Sequence, residues 1–510
     1  MRVRLLFAAS AVIGLAGCVN LAPHYKRPAP VTPTLWPGVG DHPAPAPVAA
    51  PGVADLGWRD FFLDKRLRNT VAMALADNRN LRIAALDIEA ARAQYRDTGS
   101  ALFPTVDASG SATFSKSGRT AGGNNTASGN VVTGDSVSKS LSVELGFASY
   151  EIDFFGRLRN QKQAALDALL SSAAARRSTQ ISLIGQVASD WLTLAADKER
   201  LAIARETLAN QQQNLKLVKA RHAYGVASGS DVANAQSAVE SARVDVAGYT
   251  STIARDRNAL NLVAGGTVPA ADLPGAKIPR HPVIANLPAG IPSSVLTNRP
   301  DVISAEYTLR GDTASIGAAR AAFFPTISLT AATGWATSGL SGLFADSNRS
   351  WSFTPQIDQP IFDGGSRRAQ LDLAHVQRNI DLADYEQTIQ TAFREVADAL
   401  ATRATIDEQV SAQQALVAAN TRAYKLSLAR YKAGTDSFLD TLTEQRALYT
   451  ARQDEIGRRL ARQTNLITLY KVLGGGGFAT GDEAASRRDS GSPAKAGPTA
   501  ARMTDDPASG

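Results

Sequence analysis

Cysteine occurs once in 510 residues, so no disulfide framework can hold this chain together. Aromatic residues make up only 6% of it. That is thin for the core of a large globular domain and suits long, alanine-rich helices better. No run is long and apolar enough for a membrane-spanning helix, which takes about 20 such residues. The net charge of +7 is spread without a dense Lys/Arg run, which argues against a nucleic-acid footprint. The histidines, His24, His42, His222, His281 and His375, show neither metal-ligand spacing nor a helical i, i+4 partner. Phosphate loop, dinucleotide fingerprint and nucleophile elbow are all missing. Nothing converges as an acid–base or nucleophile cluster would, so an enzyme, a metal or a dissociable cofactor is not expected.

What is present is a duplication. Sliding the chain by 209 residues carries Val187 onto Val396, Leu208 onto Val417, Ala220-Arg221 onto Ala429-Arg430 and Gly225 onto Gly434. Asp231 falls on Asp440, Gln236 on Gln445 and Gly265-Gly266 on Gly474-Gly475. Upstream the offset is 221, from Ala84 to Ala305 and from Phe103-Pro104-Thr105 to Phe324-Pro325-Thr326. The unit is far longer than a solenoid repeat. The change of offset places the extra residues of the first copy in the Gly/Ser/Asn-rich stretch Gly118–Gly134, expected to face the cell exterior.

The lone cysteine has a telling position. Arg2 and Arg4 precede an apolar run from Leu5 to Leu15, then Leu15-Ala16-Gly17-Cys18. Residues 1–17 have the layout of a secretory signal peptide, and a cysteine directly after the small residues resembles a bacterial lipobox. Residues 18–57, rich in Pro and Ala, are expected to form an extended tether, and 476–510, poor in apolar residues, a disordered tail. Between them lie repeat 1 over 58–266, a linker over 267–290 and repeat 2 over 291–475. Each repeat reads as helix, two strands, very long helix, tight tip, helix.

The long helices are expected over Arg157–Ala223 and Ser366–Ala433, both free of proline. Apolar residues return every seven positions at Val187, Leu194, Leu201, Leu208 and Leu215. They do so again at Ile389, Val396, Val410, Val417, Tyr424 and Tyr431, with Arg403 the exception. That is a coiled-coil packing signal. At 1.5 Å per residue each helix would be about 100 Å long, which makes the molecule a rod. Helices of about half that length are expected over Leu67–Gly99, Ser230–Val263, Ser293–Ala321 and Ser437–Leu473. The strands alternate: Val106, Ala108, Gly110, Ala112 and Phe114 oppose a polar face, and so do Leu141, Val143, Leu145 and Phe147. Ile327, Leu329 and Ala331, then Trp351, Phe353 and Ile357, repeat the pattern. Such strands fit a transmembrane barrel with a wet lumen or an amphipathic sheet packed on a helix. Four strands cannot close a barrel, so the membrane reading requires several chains.

Each long helix ends in a tip. Gly225 and Gly434 can close it with positive φ, while Ser228 with Asp231 and Ser437 with Asp440 fit capping boxes for the next helix. Under ring symmetry the same residues would gather Asp231, Asp440 and Tyr431 at one end of the rod, where a carboxylate ring favours cations.

At these residues the chain resembles the outer-membrane efflux (TolC-like) proteins, in particular their NodT/OprM-type lipoprotein branch. The resemblance rests on Leu15-Ala16-Gly17-Cys18, Tyr25-Lys26-Arg27-Pro28, Trp58-Arg59-Asp60-Phe61-Phe62 and Tyr150-Glu-Ile-Asp-Phe-Phe-Gly-Arg157. It extends through Asn298-Arg-Pro-Asp-Val302, Phe323-Phe-Pro-Thr-Ile-Ser-Leu329 and Pro360-Ile-Phe-Asp-Gly-Gly365. It implies an internally duplicated α+β membrane protein. Four transmembrane strands per chain would join a trimeric 12-stranded barrel, continued by a long periplasmic α-helical barrel of coiled-coil hairpins. It implies diacylglycerol and fatty acyl groups on Cys18, and Val19 in place of Asp resembles an outer-membrane address. The partners implied are a periplasmic adaptor (membrane fusion) protein, an inner-membrane pump of the resistance-nodulation-division type, and outer-membrane lipid. Tyr431, Leu439, Asp440 and Asp231 would constrict the periplasmic end, and Gly225, Ser228, Gly434 and Ser437 would lie on the adaptor-docking tips. Thr443 departs from the pattern, since many relatives carry a second acid there. The function implied is the passive exit duct of a tripartite efflux system for drugs or other small solutes. The same channel serving a protein or metabolite exporter, and a pore-less coiled-coil structural lipoprotein, are the other readings.

Overall fold

The computed structural model describes residues 19–29, 31–38, 56–116, 137–284 and 293–475. Cys18, the signal segment, the Gly118–Gly134 stretch and the expected C-terminal tail lie outside the described residues. In chain order the elements are α1 (Trp58–Phe61), α2 (Lys65–Asp77), α3 (Arg79–Ser100), β1 (Asp107–Lys116), β2 (Val137–Ile152), α4 (Arg157–Ala223) and α5 (Gly229–Ala264). A 3-10 turn (Ser293–Asn298) leads into α6 (Pro300–Ala321), β3 (Thr326–Thr337), β4 (Arg349–Asp358), α7 (Ser366–Ala433) and α8 (Phe438–Val472).

Both proline-free segments run as single helices with the expected bounds, 67 residues in α4 and 68 in α7, or roughly 100 Å each. The half-length helices differ from expectation at two places. Leu67–Gly99 is two helices, because Asn78 is extended and caps the second, accepting from Leu81 N at 3.0 Å and donating to Val263 O at 2.8 Å. Ser293–Ala321 is likewise broken: Pro300 occupies the first helical position and holds Arg299 extended.

The heptad also shifts. Val187 and Leu194 are fully buried, but Leu201, Leu208 and Leu215 are only half-buried. The buried stripe along that half of α4 is Asp197, Ala204, Gln211 and Val218, three positions on. A seam of small and polar residues lets α5 and α8 approach closely, and the leucines flank it.

Halfway along the rod the short helices end against the long ones, and this is the main hydrophobic core. Phe61 stacks on Tyr470 with ring centroids 4.2 Å apart, Trp36 of the tether stacks on Phe393 at 4.8 Å, and Trp191 is fully buried beside them. The tether lies along α6. Arg27 grips Glu306 with two bonds of 2.9 and 2.6 Å, and Tyr25 donates to the same carboxylate.

The four strands form one antiparallel sheet in sequence order, β1-β2-β3-β4. Cross-strand partners keep one face mainly apolar, with Ala108 opposite Leu145 and Phe147 opposite Ala331 and in turn Phe353, interrupted by Lys139, Thr333 and Thr337. The register slips between Phe147 and Tyr150, where Ser149 takes φ 54°. That bulge has a purpose in the pattern. One extra residue puts Tyr150 and Ile152 on the face of Phe147, where unbroken alternation would have turned them to the polar side. The opposite face is Ser, Thr and acid, with Ser111 and Ser142 hydroxyls 2.9 Å apart.

Candidate functional site

The tips and the sheet are the two ends of one arrangement. At the sheet, apolar side chains face outward with nothing packed on them: Trp351 is 80% exposed, and Phe114, Phe353 and Ile357 are each at least 60% exposed. Among the described residues no helix covers this face, which removes the reading of a sheet packed on a helix. No helix of the described residues is long and apolar enough to cross a membrane.

At the far end, both long helices close alike. Gly225 N donates to His222 O and Val226 N to Arg221 O, each at 2.9 Å; Gly434 N to Tyr431 O and Thr435 N to Arg430 O, each at 3.0 Å, repeat the pattern. Gly225 at φ 73° and Gly434 at φ 83° supply the left-handed residue such an ending requires. The caps that follow are unequal. Ser228 and Asp231 form a reciprocal box, with Ser228 Oγ accepting from Asp231 N at 3.0 Å and Ser228 N donating to the Asp231 carboxylate at 2.9 Å. Ser437 accepts from Asp440 N at 3.2 Å and its hydroxyl donates back to the carboxylate, but the backbone arm is missing. The expected second box is thus half a box.

The structure also separates the candidate gate residues. Leu439 and Asp440 are exposed, whereas Tyr431 is buried in a small apolar cluster with Val218, Ala235, Ala238, Phe438 and Leu442. The Tyr431 ring lies 5.6 Å from that of Phe438. Arg221, from the other tip, places its guanidinium 4.5 Å above the Tyr431 ring and donates to Tyr431 O at 2.8 Å. Burial pushes the Tyr431 phenol above its ordinary pKa; Arg221 opposes this and the Asp231 charge adds to it. Arg221 and Tyr431 therefore join the two tips, with Asp231 tied to Ser228 in its own cap and Leu439 and Asp440 exposed. The sequence already sets Phe438-Leu439 before Asp440 against Gly229-Ser230 before Asp231, an asymmetry expected to carry gating, but Arg221 was not singled out. For Arg221 the repeated Ala-Arg at 220–221 and 429–430 was the available signal, and it does not show that the two arginines differ.

Thr443 donates to Leu439 O within its own helix at 2.9 Å. Among the described residues no group of His, Cys, Asp or Glu could hold a metal ion.

A family model described as outer membrane efflux protein matches residues 70–266 and 291–475, one block for each copy of the duplication. Over 466 residues the chain is 43% identical to the toluene efflux pump outer membrane protein TtgC of Pseudomonas putida, covering 91% of this chain and 94% of that one. It is 37% identical over 470 residues to the cation efflux system protein CusC of Escherichia coli, covering 91% and 97%. The open state of the Neisseria gonorrhoeae MtrE outer membrane channel superposes with a TM-score of 0.77 at 35% identity, over 90% of this chain and 98% of that one.

Proposed function

The chain belongs to the outer membrane efflux protein family, and from that membership we propose that three copies form the passive exit duct of a tripartite efflux system. One observation carries the reading. A four-stranded sheet with open edges and a bare apolar face continues directly into two uninterrupted helices of roughly 100 Å. Four strands cannot close on themselves, and three sheets make twelve, enough to enclose a channel. The apolar face then meets lipid, and the Ser/Thr face lines a wet pore. The helices of each chain supply two staves of a six-stave tube through the periplasm. A periplasmic adaptor docks at the tips, around Gly225, Ser228, Gly434 and Ser437, and an inner-membrane pump supplies the energy. Cys18 carries the lipid anchor, and intact-mass measurement of the mature protein tests this. The toluene and cation named for the two relatives differ so widely that cargo is assigned to the upstream partners rather than to the duct wall.

At the closed end Asp440, Leu439 and Asp231 narrow the pore together with Tyr431, whose contact with Arg221 holds the two tips together behind them. Single-channel recording in planar bilayers tests the whole reading. Wild-type protein should conduct as a three-chain unit, and the absence of any conductance from a folded, membrane-extracted protein would leave a pore-less stalk in its place. Asp440→Ala should raise closed-state conductance. If stability falls but conductance does not change, Asp440 is a helix cap and nothing more.

A further inference from the structure

A cavity of about 280 Å³ lies where the tether crosses between α6 and α7, away from the tips. Its charged lining is of one sign. Lys26, Arg320 and Arg378 contribute cations from three separate elements, and His24 and His375 add two imidazoles. No carboxylate lines it. Arg320 makes one long bond, to Leu21 O at 3.3 Å, and Arg378 one to Asn379 Oδ1 at 3.2 Å, so most of their donors remain unused. Acids border the lining without entering it: Glu306, and the Asp312–Asp381 pair. Glu306 is held by Arg27 and Tyr25. Asp312 is raised by burial, and by its bond with Asp381, to a pKa of about 7.

Three cations around one hollow, two of them half-buried, attract an anion into it. Guanidinium forks match phosphoryl oxygens, and the volume is just below the range for drug-sized ligands, so a headgroup fits better than an efflux cargo. The position is also specific. Arg320 is in the last turn of α6, just before β3, and His375 and Arg378 lie within about 20 Å of the start of α7 at the sheet. Pro23, in the cavity wall, follows Cys18 by five residues.

We propose that this cavity binds a phosphoryl anion, supplied as the headgroup of an anionic phospholipid from the leaflet that anchors the chain or as free phosphate. The lipid source rests on the outer-membrane reading above. Bound there, the headgroup ties the tether to α6 and α7 directly beneath the membrane.

The test uses the full-length protein in detergent and native mass spectrometry. It would be offered phosphatidylglycerol, diacylglycerol without the phosphate, and inorganic phosphate alone. Wild type should retain phosphatidylglycerol, and R320Q/R378Q should retain about tenfold less. R422Q, far along the rod, should match wild type. The charge-preserving R320K/R378K, which loses the guanidinium forks, should fall between wild type and R320Q/R378Q, which separates loss of charge from loss of fold. Retention of inorganic phosphate but not phosphatidylglycerol assigns the site to the free ion. Equal retention by wild type and R320Q/R378Q, or retention of diacylglycerol as strong as that of phosphatidylglycerol, overturns the proposal. Conductance of the same samples keeps the two readings apart: a channel that conducts without retaining either anion loses the pocket alone.

Discussion

Arg221 and Arg430 occupy the same position in the two copies, yet they do different things. Arg430 reaches back to Asp436 within its own tip at 2.9 Å, and its side chain is 67% exposed. The position matching Asp436 in the first copy is Ala227, so Arg221 has no such local partner. It crosses instead to the ring and carbonyl of Tyr431. The residue that matches Tyr431 is His222, which turns inward to Ala227 O at 2.8 Å. Phe438, buried at the second tip, matches exposed Gly229 at the first. The first tip is thus held by its capping box and lends a cation. The second is held by a buried aromatic pair and receives it. Duplication made two equal hairpins, and a few substitutions turned one into the clasp of the other.

That contrast can be broken in graded steps. Removing the aromatic plug with Phe438→Ala should cost about 3 kcal/mol in denaturant unfolding and speed amide exchange at the second tip first, whereas Gly229→Ala should do neither. Arg221→Gln should destabilise by about 1–2 kcal/mol and raise leak conductance, because it unties Tyr431 from the opposite tip. Arg430→Gln removes only an exposed ion pair and should stay within about 0.5 kcal/mol. Gly225→Ala and Gly434→Ala should each cost about 1 kcal/mol and by similar amounts, since both positions need positive φ and a Cβ at Gly434 would meet only Arg221 Nη2, at an unstrained 4.0 Å. Unequal costs would mean that the tips differ in backbone strain as well as in side chains. Ser228→Ala should cost about 1 kcal/mol, and Ser437→Ala less, as one arm of its box is missing. Thermal unfolding of the paired variants measures that smallest difference.

Much of the fold is legible because local rules decide it. A stretch of 67 residues without proline, ending in a glycine with a capping serine and aspartate beyond, bounds a helix regardless of what packs on it. Strict alternation in Thr105–Ser115 and its counterparts marks two-faced strands in the same way. The errors fall where a distant contact overrides the local signal. Asn78 breaks an otherwise continuous helical pattern because Val263 O, 185 residues away, accepts its amide. The leucine heptad is legible but the seam is not, because α5 and α8 both pack on the tipward half of α4 and Ala204 and Gln211 are buried where Leu201 and Leu208 are not. Of the candidate site, the tip glycines and caps could be read from spacing. The partnership of Arg221 with Tyr431 spans 210 residues and has no periodic signature.

The sequence alone determined the duplication, the length of the rod, the two-faced strands and, once those strands are read as spanning a membrane, the need for more than one chain. Each follows from periodicity, proline placement or strand count. The tertiary structure decided which equivalent residues diverged in role, how the bulge at Ser149 keeps the apolar face continuous, and that the tether closes a cationic hollow against α6 and α7. These depend on which side chains meet across hundreds of residues, and burial and unpaired charge, rather than local propensity, set their energies.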